Sequence, residues 1–139
     1  MTELARAITI ACSAHRDQKD KNGDPYIFHI LRVLDGVRDF DEDYCCAAVL
    51  HDVIEDSELD ASDLGSSYEF NDTVVAAVEA LTRRKDESYM DFIDRCRANK
   101  IARLVKQIDI RDNQRPSNDV GHVRRQAKYA KALQRLLTN

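Results

Sequence analysis

The segment Ala47-Ala48-Val49-Leu50-His51-Asp52-Val53-Ile54-Glu55-Asp56 delivers four ionisable side chains at the end of an apolar helical run. Read as one continuous helix, it puts His51 with Glu55, and Asp52 with Asp56, four apart on shared faces. Burying such groups is costly unless something pairs with them, and a divalent metal ion is the natural partner. An imidazole and a carboxylate can hold the ion, which leaves two further carboxylates for acid–base work. Two other segments complete the set. In Pro25-Tyr26-Ile27-Phe28-His29-Ile30 a histidine falls one turn into a helix, with Asp24 as the expected N-cap and Pro25 in the first helical position. In Leu104-Val105-Lys106-Gln107-Ile108-Asp109 an aspartate lies among apolar neighbours, and Asn113 follows one turn later. Drawn together, His29, His51, Asp52 and Asp109 make a His2Asp2 donor set spread over three helices.

These pieces stand in order with others: Ala14-His15 with Gln18, Lys21-Asn22-Gly23-Asp24, Ala80-Leu81-Thr82, and Tyr89-Met90-Asp91-Phe92-Ile93. In that ordered set the chain resembles the HD-domain metal-dependent phosphohydrolases. Within them it is similar to the small alarmone hydrolases and the hydrolase domain of RelA/SpoT-type enzymes. The resemblance is strong over residues 1–113 and weak over 114–139. It implies a single all-α HD-domain helical bundle over residues 1–139 that removes the 3′-pyrophosphate of a guanosine alarmone, (p)ppGpp, or a close analogue. It also implies one divalent ion on His29, His51, Asp52 and Asp109. The mixed donors suit Mn²⁺, Fe²⁺, Co²⁺ or Zn²⁺, and the resemblance favours Mn²⁺. Glu55 and Asp56 become the catalytic pair, which orients a water or takes its proton.

Lys21, Asn113 and Lys106 are the expected substrate contacts. On spacing alone, Lys106 equally well faces solvent or balances the acidic site. His15 matches a position near the pocket, with helix packing or a supporting hydrogen bond as its expected role. There is one departure. Relatives typically carry an Arg-Lys pair ahead of the Gly-x-Pro-Tyr element, with the arginine stacking on guanine; here the pair is Asp20-Lys21. Asp20 cannot stack as a guanidinium does, so Asp20→Arg is expected to tighten alarmone binding. The departure keeps open an HD phosphohydrolase for another nucleotide, such as a 5′-nucleotidase or NADPH phosphatase. A nucleotide-sensing module without turnover is the alternative of a different class, against which the intact Glu55-Asp56 pair speaks.

Composition bounds the rest. A chain of 139 residues fits one core. Four glycines and two prolines are too few for a many-turned β protein. No apolar run approaches the ~18 residues of a membrane span. The N-terminus has no basic-then-apolar leader pattern, so the expected compartment is the cytoplasm. Cys12, Cys45, Cys46 and Cys96 lack C-x-x-C spacing and read as reduced, buried thiols. A net charge of −4 argues against non-specific nucleic-acid binding and leaves a small-molecule nucleotide as the expected partner. Residues 35–63 hold eleven acids and one base, whereas 111–139 hold seven Lys/Arg and two Asp. The acidic block suits a cation, and the basic tail either helps receive an anionic substrate or is a solvated helix face. No synthetase domain is expected in this length.

Hydrophobic period and capping residues predict helices over 2–18, 25–37, 41–54, 61–67, from 71 or 72 to about 81, 89–97, 99–113 and 122–137. Leu4, Ala7, Ile8, Ala11 and Ala14 should face inward on the first, and Ile27, Ile30, Leu31 and Leu34 on the second.

Overall fold

The computed structural model describes residues 1–139 as nine helices: α1 (Glu3–Ala14), α2 (Ile27–Val37), α3 (Glu42–Leu50), α4 (Val53–Asp56), α5 (Ala61–Ser66), α6 (Asp72–Ala80), α7 (Tyr89–Ala98), α8 (Lys100–Asn113) and α9 (His122–Leu137). The all-α expectation holds. Local side chains set most starts. Thr2, Asp41, Asn71, Ser88 and Asn99 each accept a backbone N–H of the first turn, and Asp60 forms a full capping box with Asp63.

Helix α3 is the axis of the bundle. Every residue from Tyr44 to Leu50 is buried, and α1, α2, α6 and α8 all pack on it. A helix apolar on all sides has no solvent face to offer, so it must be surrounded. Its end is therefore an interior point of the fold, and His51-Asp52 sits there. The approach of α2 to α8 depends on Gly36, where a Cβ would lie 2.7 Å from Ile108 Cγ2. That close packing brings His29 on α2 to Asp109 on α8.

Five expectations are corrected. Helix α1 ends at Ala14 rather than Gln18, and the chain turns through His15 (φ −106°, ψ 10°). Helix α2 begins at Ile27 without a side-chain cap, so Asp24 is not its N-cap. Pro25 instead forms a β-bridge with Lys19, which holds its backbone extended and outside the helix. On α2, Leu31 is 44% exposed rather than core, as is Cys12 on α1 rather than buried. Finally, α3 stops at Leu50, and His51-Asp52 forms a turn before α4. His51 and Glu55 thus do not share one helical face, although the Asp56 N–H still donates to the Asp52 carbonyl at 3.0 Å.

The connection from α6 to α7 is stapled by Arg95. Its Nε and Nη2 donate to the two Glu87 oxygens at 2.6 and 2.8 Å, and Nη2 also reaches the Thr82 carbonyl at 2.7 Å. A fork-on-carboxylate pair of this kind is directional and strong. Arg95 holds the Glu87 carboxyl down at about 2 against an ordinary 4.5. A carboxylate with a depressed folded-state pKa stabilises the fold fully above its unfolded value and loses that contribution as pH falls. Glu87→Gln should therefore lower Tm at neutral pH, and the gap to wild type should shrink as pH drops below 4.5. Melting curves from pH 7 to 3 check this.

Candidate metal centre

The turn at the end of α3 sets the first ligands. His51 Nδ1 lies 2.6 Å from the Ala48 carbonyl, one of the last of α3. A carbonyl only accepts, so Nδ1 carries the proton, and Nε2 is the nitrogen turned to the site. Nε2 is 3.0 Å from Asp52 Oδ2 and 3.2 Å from Asp109 Oδ1. His29 is arranged the same way. Its Nδ1 is 2.7 Å from Asp112 Oδ2, and Asp112 is clamped by Arg32 Nε and Nη2 at 2.6 and 3.1 Å. Its Nε2 then faces inward, 2.9 Å from Asp109 Oδ1 and 3.8 Å from Asp52 Oδ2. One ligand atom from each of His29, His51, Asp52 and Asp109 lies within 4.8 Å of all the others.

This donor set fits a metal. With its proton on Nδ1, His29 turns a buried Nε2 lone pair to within 2.9 Å of the Asp109 carboxylate, and two acceptors so close are costly for a protein alone and normal where both are metal ligands. Two imidazole nitrogens and two carboxylates suit a borderline or hard divalent ion. The carboxylate behind His29 and the carbonyl behind His51 are the supports such ligands use to fix tautomer and ring orientation.

The electrostatics follow from burial. Desolvation alone would lower His51, but the Asp52 and Asp109 carboxylates outweigh it and raise it well above the usual imidazole value. Desolvation would raise Asp109, yet Lys106 and His51 hold it well below the carboxylate range. Lys106 Nζ donates to Asp109 Oδ2 at 2.8 Å and sits 5.0 Å from the centroid of the Phe92 ring. Its role here is to balance the acidic site; it does not face solvent. Asp52 accepts from the Tyr26 hydroxyl at 2.5 Å and is drawn down to about 2, because His51 overcomes the effect of burial.

The other expected residues divide. Asn113 Nδ2 donates to Asp109 Oδ1 at 3.2 Å, and both Asn113 and Lys21 line a cavity of about 460 Å³ beside His29. Glu55 and Asp56 are exposed and lie outside that lining. Glu55 Oε1 accepts from the Arg83 N–H at 2.7 Å, which ties it to the loop that Arg95 staples. Asp56 Oδ2 accepts from Gln18 Nε2 at 3.2 Å, and Gln18 lines the cavity. Burial raises both carboxyls above their ordinary values.

Asp20 has a different role from the one expected. Its Oδ1 accepts the Asn22 and Asp24 N–H groups at 2.9 and 3.0 Å, closing a loop whose Gly23 has φ +83°. The carboxylate organises the loop that carries Lys21, so an arginine there would remove two backbone bonds. Tyr26, Arg32 and Asp112 were not singled out from sequence. The signal available was spacing: Arg32 is three residues after His29, and Asp112 three after Asp109, each on the face of its ligand.

Asp112→Ala should leave His29 free to reorient and weaken Mn²⁺ binding by roughly 10- to 100-fold. His51→Ala and Asp109→Ala should remove the ion. Elemental analysis and metal titration of purified variants measure both, and full occupancy in Asp109→Ala would exclude that carboxylate as a ligand.

The chain is similar to several known proteins. A GTP pyrophosphokinase of Streptomyces coelicolor is 36% identical over 85 residues, 60% of this chain and 10% of that protein. A guanosine-3′,5′-bis(diphosphate) 3′-pyrophosphohydrolase of Aquifex aeolicus is 34% identical over 83 residues, 58% of this chain and 12% of that protein. The chain thus aligns with about a tenth of the length of these relatives. A solved structure, described as a metazoan ortholog of SpoT that hydrolyses ppGpp and plays a role in starvation responses, superposes with a TM-score of 0.81. It is 23% identical, over 100% of this chain and 87% of that one, which is a likeness of fold. The family profile described as HD domain matches residues 7–138, nearly the whole chain, and the protein belongs to the HD-domain family.

Proposed function

We propose that this protein is a Mn²⁺-dependent phosphohydrolase that removes the 3′-pyrophosphate of a guanosine alarmone, (p)ppGpp, and so acts in the stringent response of the cytoplasm. The observation that carries this reading is the His2Asp2 cluster opening beside a cation-lined cavity. Lys19, Lys21, Arg32, Arg115 and Arg125 line that cavity together with Tyr129, against three carboxylates, Asp20, Asp24 and Asp112, so positive charge predominates. Arg115, Arg125 and Tyr129 come from the basic C-terminal stretch, and their place in the lining supports the reading in which that stretch helps receive an anionic substrate. The names of the curated relatives at the matching segment support the same substrate.

In this reading His29, His51, Asp52 and Asp109 hold the ion, and Lys106 keeps Asp109 charged. The bound ion lowers the pKa of water and neutralises phosphate charge. Glu55 and Asp56 orient the attacking water and accept its proton as it adds to the phosphorus on the 3′ oxygen. The P–O3′ bond breaks, the proton taken up by the carboxylate passes to the departing 3′ oxygen, which leaves with the nucleotide as a hydroxyl, and pyrophosphate departs. Lys21, Arg115 and Arg125 receive phosphate charge, and Asn113 hydrogen-bonds sugar or phosphate.

Asp20 favours a second reading, hydrolysis of another nucleotide. Its carboxylate is committed to the loop, so no guanidinium at that position is offered to the base. A turnover screen of Mn²⁺-loaded protein against ppGpp, pppGpp, ppApp, NADPH and 5′-mononucleotides separates the two readings. Preference for ppGpp and pppGpp is expected; preference for NADPH or a 5′-mononucleotide selects the second. Glu55→Gln and Asp56→Asn should retain metal and KM but lose roughly 10²- to 10⁴-fold in kcat. Wild-type turnover in both variants would remove these carboxylates from the chemistry. Asp20→Arg should raise KM, because the Lys21 loop loses its closure; a lower KM would restore the stacking account.

A further inference from the structure

His15 is a buried histidine that the chemistry above leaves unused. Its side chain is fully inaccessible, and its Nδ1 lies 2.8 Å from Gln18 Oε1. Gln18 Nε2 in turn lies 3.2 Å from Asp56 Oδ2. The direct His15-to-Asp56 distance, 3.9 Å, is too long for a hydrogen bond, so the amide bridges them. We propose that His15 and Gln18 form a hydrogen-bonded chain that fixes the orientation of Asp56, acting as positioning residues for the hydrolytic step. The proposal rests on the reading of Asp56 as a catalytic carboxylate.

The direction of the chain follows from its acceptor end. A carboxylate only accepts, so the face of Gln18 turned to Asp56 is the NH2 group. Oε1 must then face His15. An amide oxygen also only accepts, so His15 Nδ1 carries the proton. One ionised group sets the amide orientation and, through it, the tautomer of a buried ring.

Two further observations separate this arrangement from ordinary packing. His15 Nε2 is buried and has no hydrogen-bond partner. An apolar side chain of similar size would fill the place without an unsatisfied atom, so what the imidazole contributes is Nδ1–H. The ring also packs against Tyr26, 5.2 Å centroid to centroid; Tyr26 has His29 as a second ring neighbour at the same 5.2 Å, and its hydroxyl donates to Asp52. The chain is thus built against the same aromatic ring that supports the ligand cluster. Gln18 lies on both the cationic cavity and an adjoining groove of about 860 Å³ that contains Asp56, the position from which an amide can hold a carboxylate toward the reaction.

The test combines kinetics with NMR on the full, Mn²⁺-loaded protein and on its metal-free form. Gln18→Met and His15→Leu should lower kcat by roughly 10- to 100-fold with metal content unchanged, and His15→Leu, whose side chain is not in the cavity lining, should also leave KM unchanged. His15→Asn, whose amide can donate from near the Nδ1 position, should recover most of the rate. In an Asp56→Asn background, Gln18→Met should cause no further fall. Gln18 is only partly buried, so its variant remains informative if His15→Leu does not fold. Long-range proton–nitrogen spectra of the metal-free protein should show His15 as the Nδ1–H tautomer, a preference that Gln18→Met abolishes. Wild-type kcat in Gln18→Met, with Asp56→Asn impaired, overturns the chain while leaving the reading of Asp56 intact. Wild-type kcat in Asp56→Asn overturns that reading instead. An Nε2–H tautomer of His15 in the wild type overturns the chain whatever the substrate.

Discussion

Two carboxylates converge at one point of this fold, and their charge is the constraint around which the site is organised. Asp109 is buried, Asp52 nearly so, and each lies about 3 Å from His51 Nε2. Like charges so close inside a protein repel unless positive charge is supplied. Lys106 provides part of it from the same helix. The two imidazoles, each with Nδ1 anchored to an acceptor, direct their remaining nitrogen to the carboxylates. The four donor atoms lie within 4.8 Å of one another, close enough to share one divalent cation, which would add to the positive charge on the carboxylates.

The helices are arranged to make that convergence possible. Helix α3 is buried from Tyr44 to Leu50 and ends within the fold, so the His51-Asp52 turn is presented to its neighbours instead of to water. Gly36 lets α8 come against α2, which carries Asp109 to His29. The supports lie on the same helices as the ligands: Arg32 with His29, and Lys106 and Asp112 with Asp109. A site made this way resists local distortion, because displacing one ligand disturbs the packing of a whole helix.

Charge is also distributed by sequence region. The acidic segment around α3 and α4 contributes His51 and Asp52 to the four-residue donor cluster, and the basic C-terminal stretch contributes Arg115, Arg125 and Tyr129 to the cavity that His29 also lines. Glu55 and Asp56 are held by the Arg83 amide and the Gln18 side chain.

Much of this was legible before the fold. Helix content, most boundaries and the four converging His and Asp side chains follow from local information: apolar period, capping residues, and ionisable groups set in apolar runs. These depend on neighbours within a turn, which a sequence displays directly. The break after Leu50 was not legible, because the apolar run continues through Val53 and Ile54 and nothing local stops the helix. Nor was the true start of α2, which is decided by a bridge between Pro25 and Lys19. The partners of the ligands lay further out of reach. Asp112 pairs with Arg32 across 80 positions of sequence, and Asp56 with Gln18 across 38. Asp20, which by sequence reads as a missing arginine, proved to be the closure of a loop, because its contacts are to backbone N–H groups whose directions exist only once the chain has turned. Residue types and their spacing determined which groups can do chemistry here. The tertiary structure alone decided which of them meet and which way each ring and carboxylate points, because those directions are set by contacts between segments far apart in the chain.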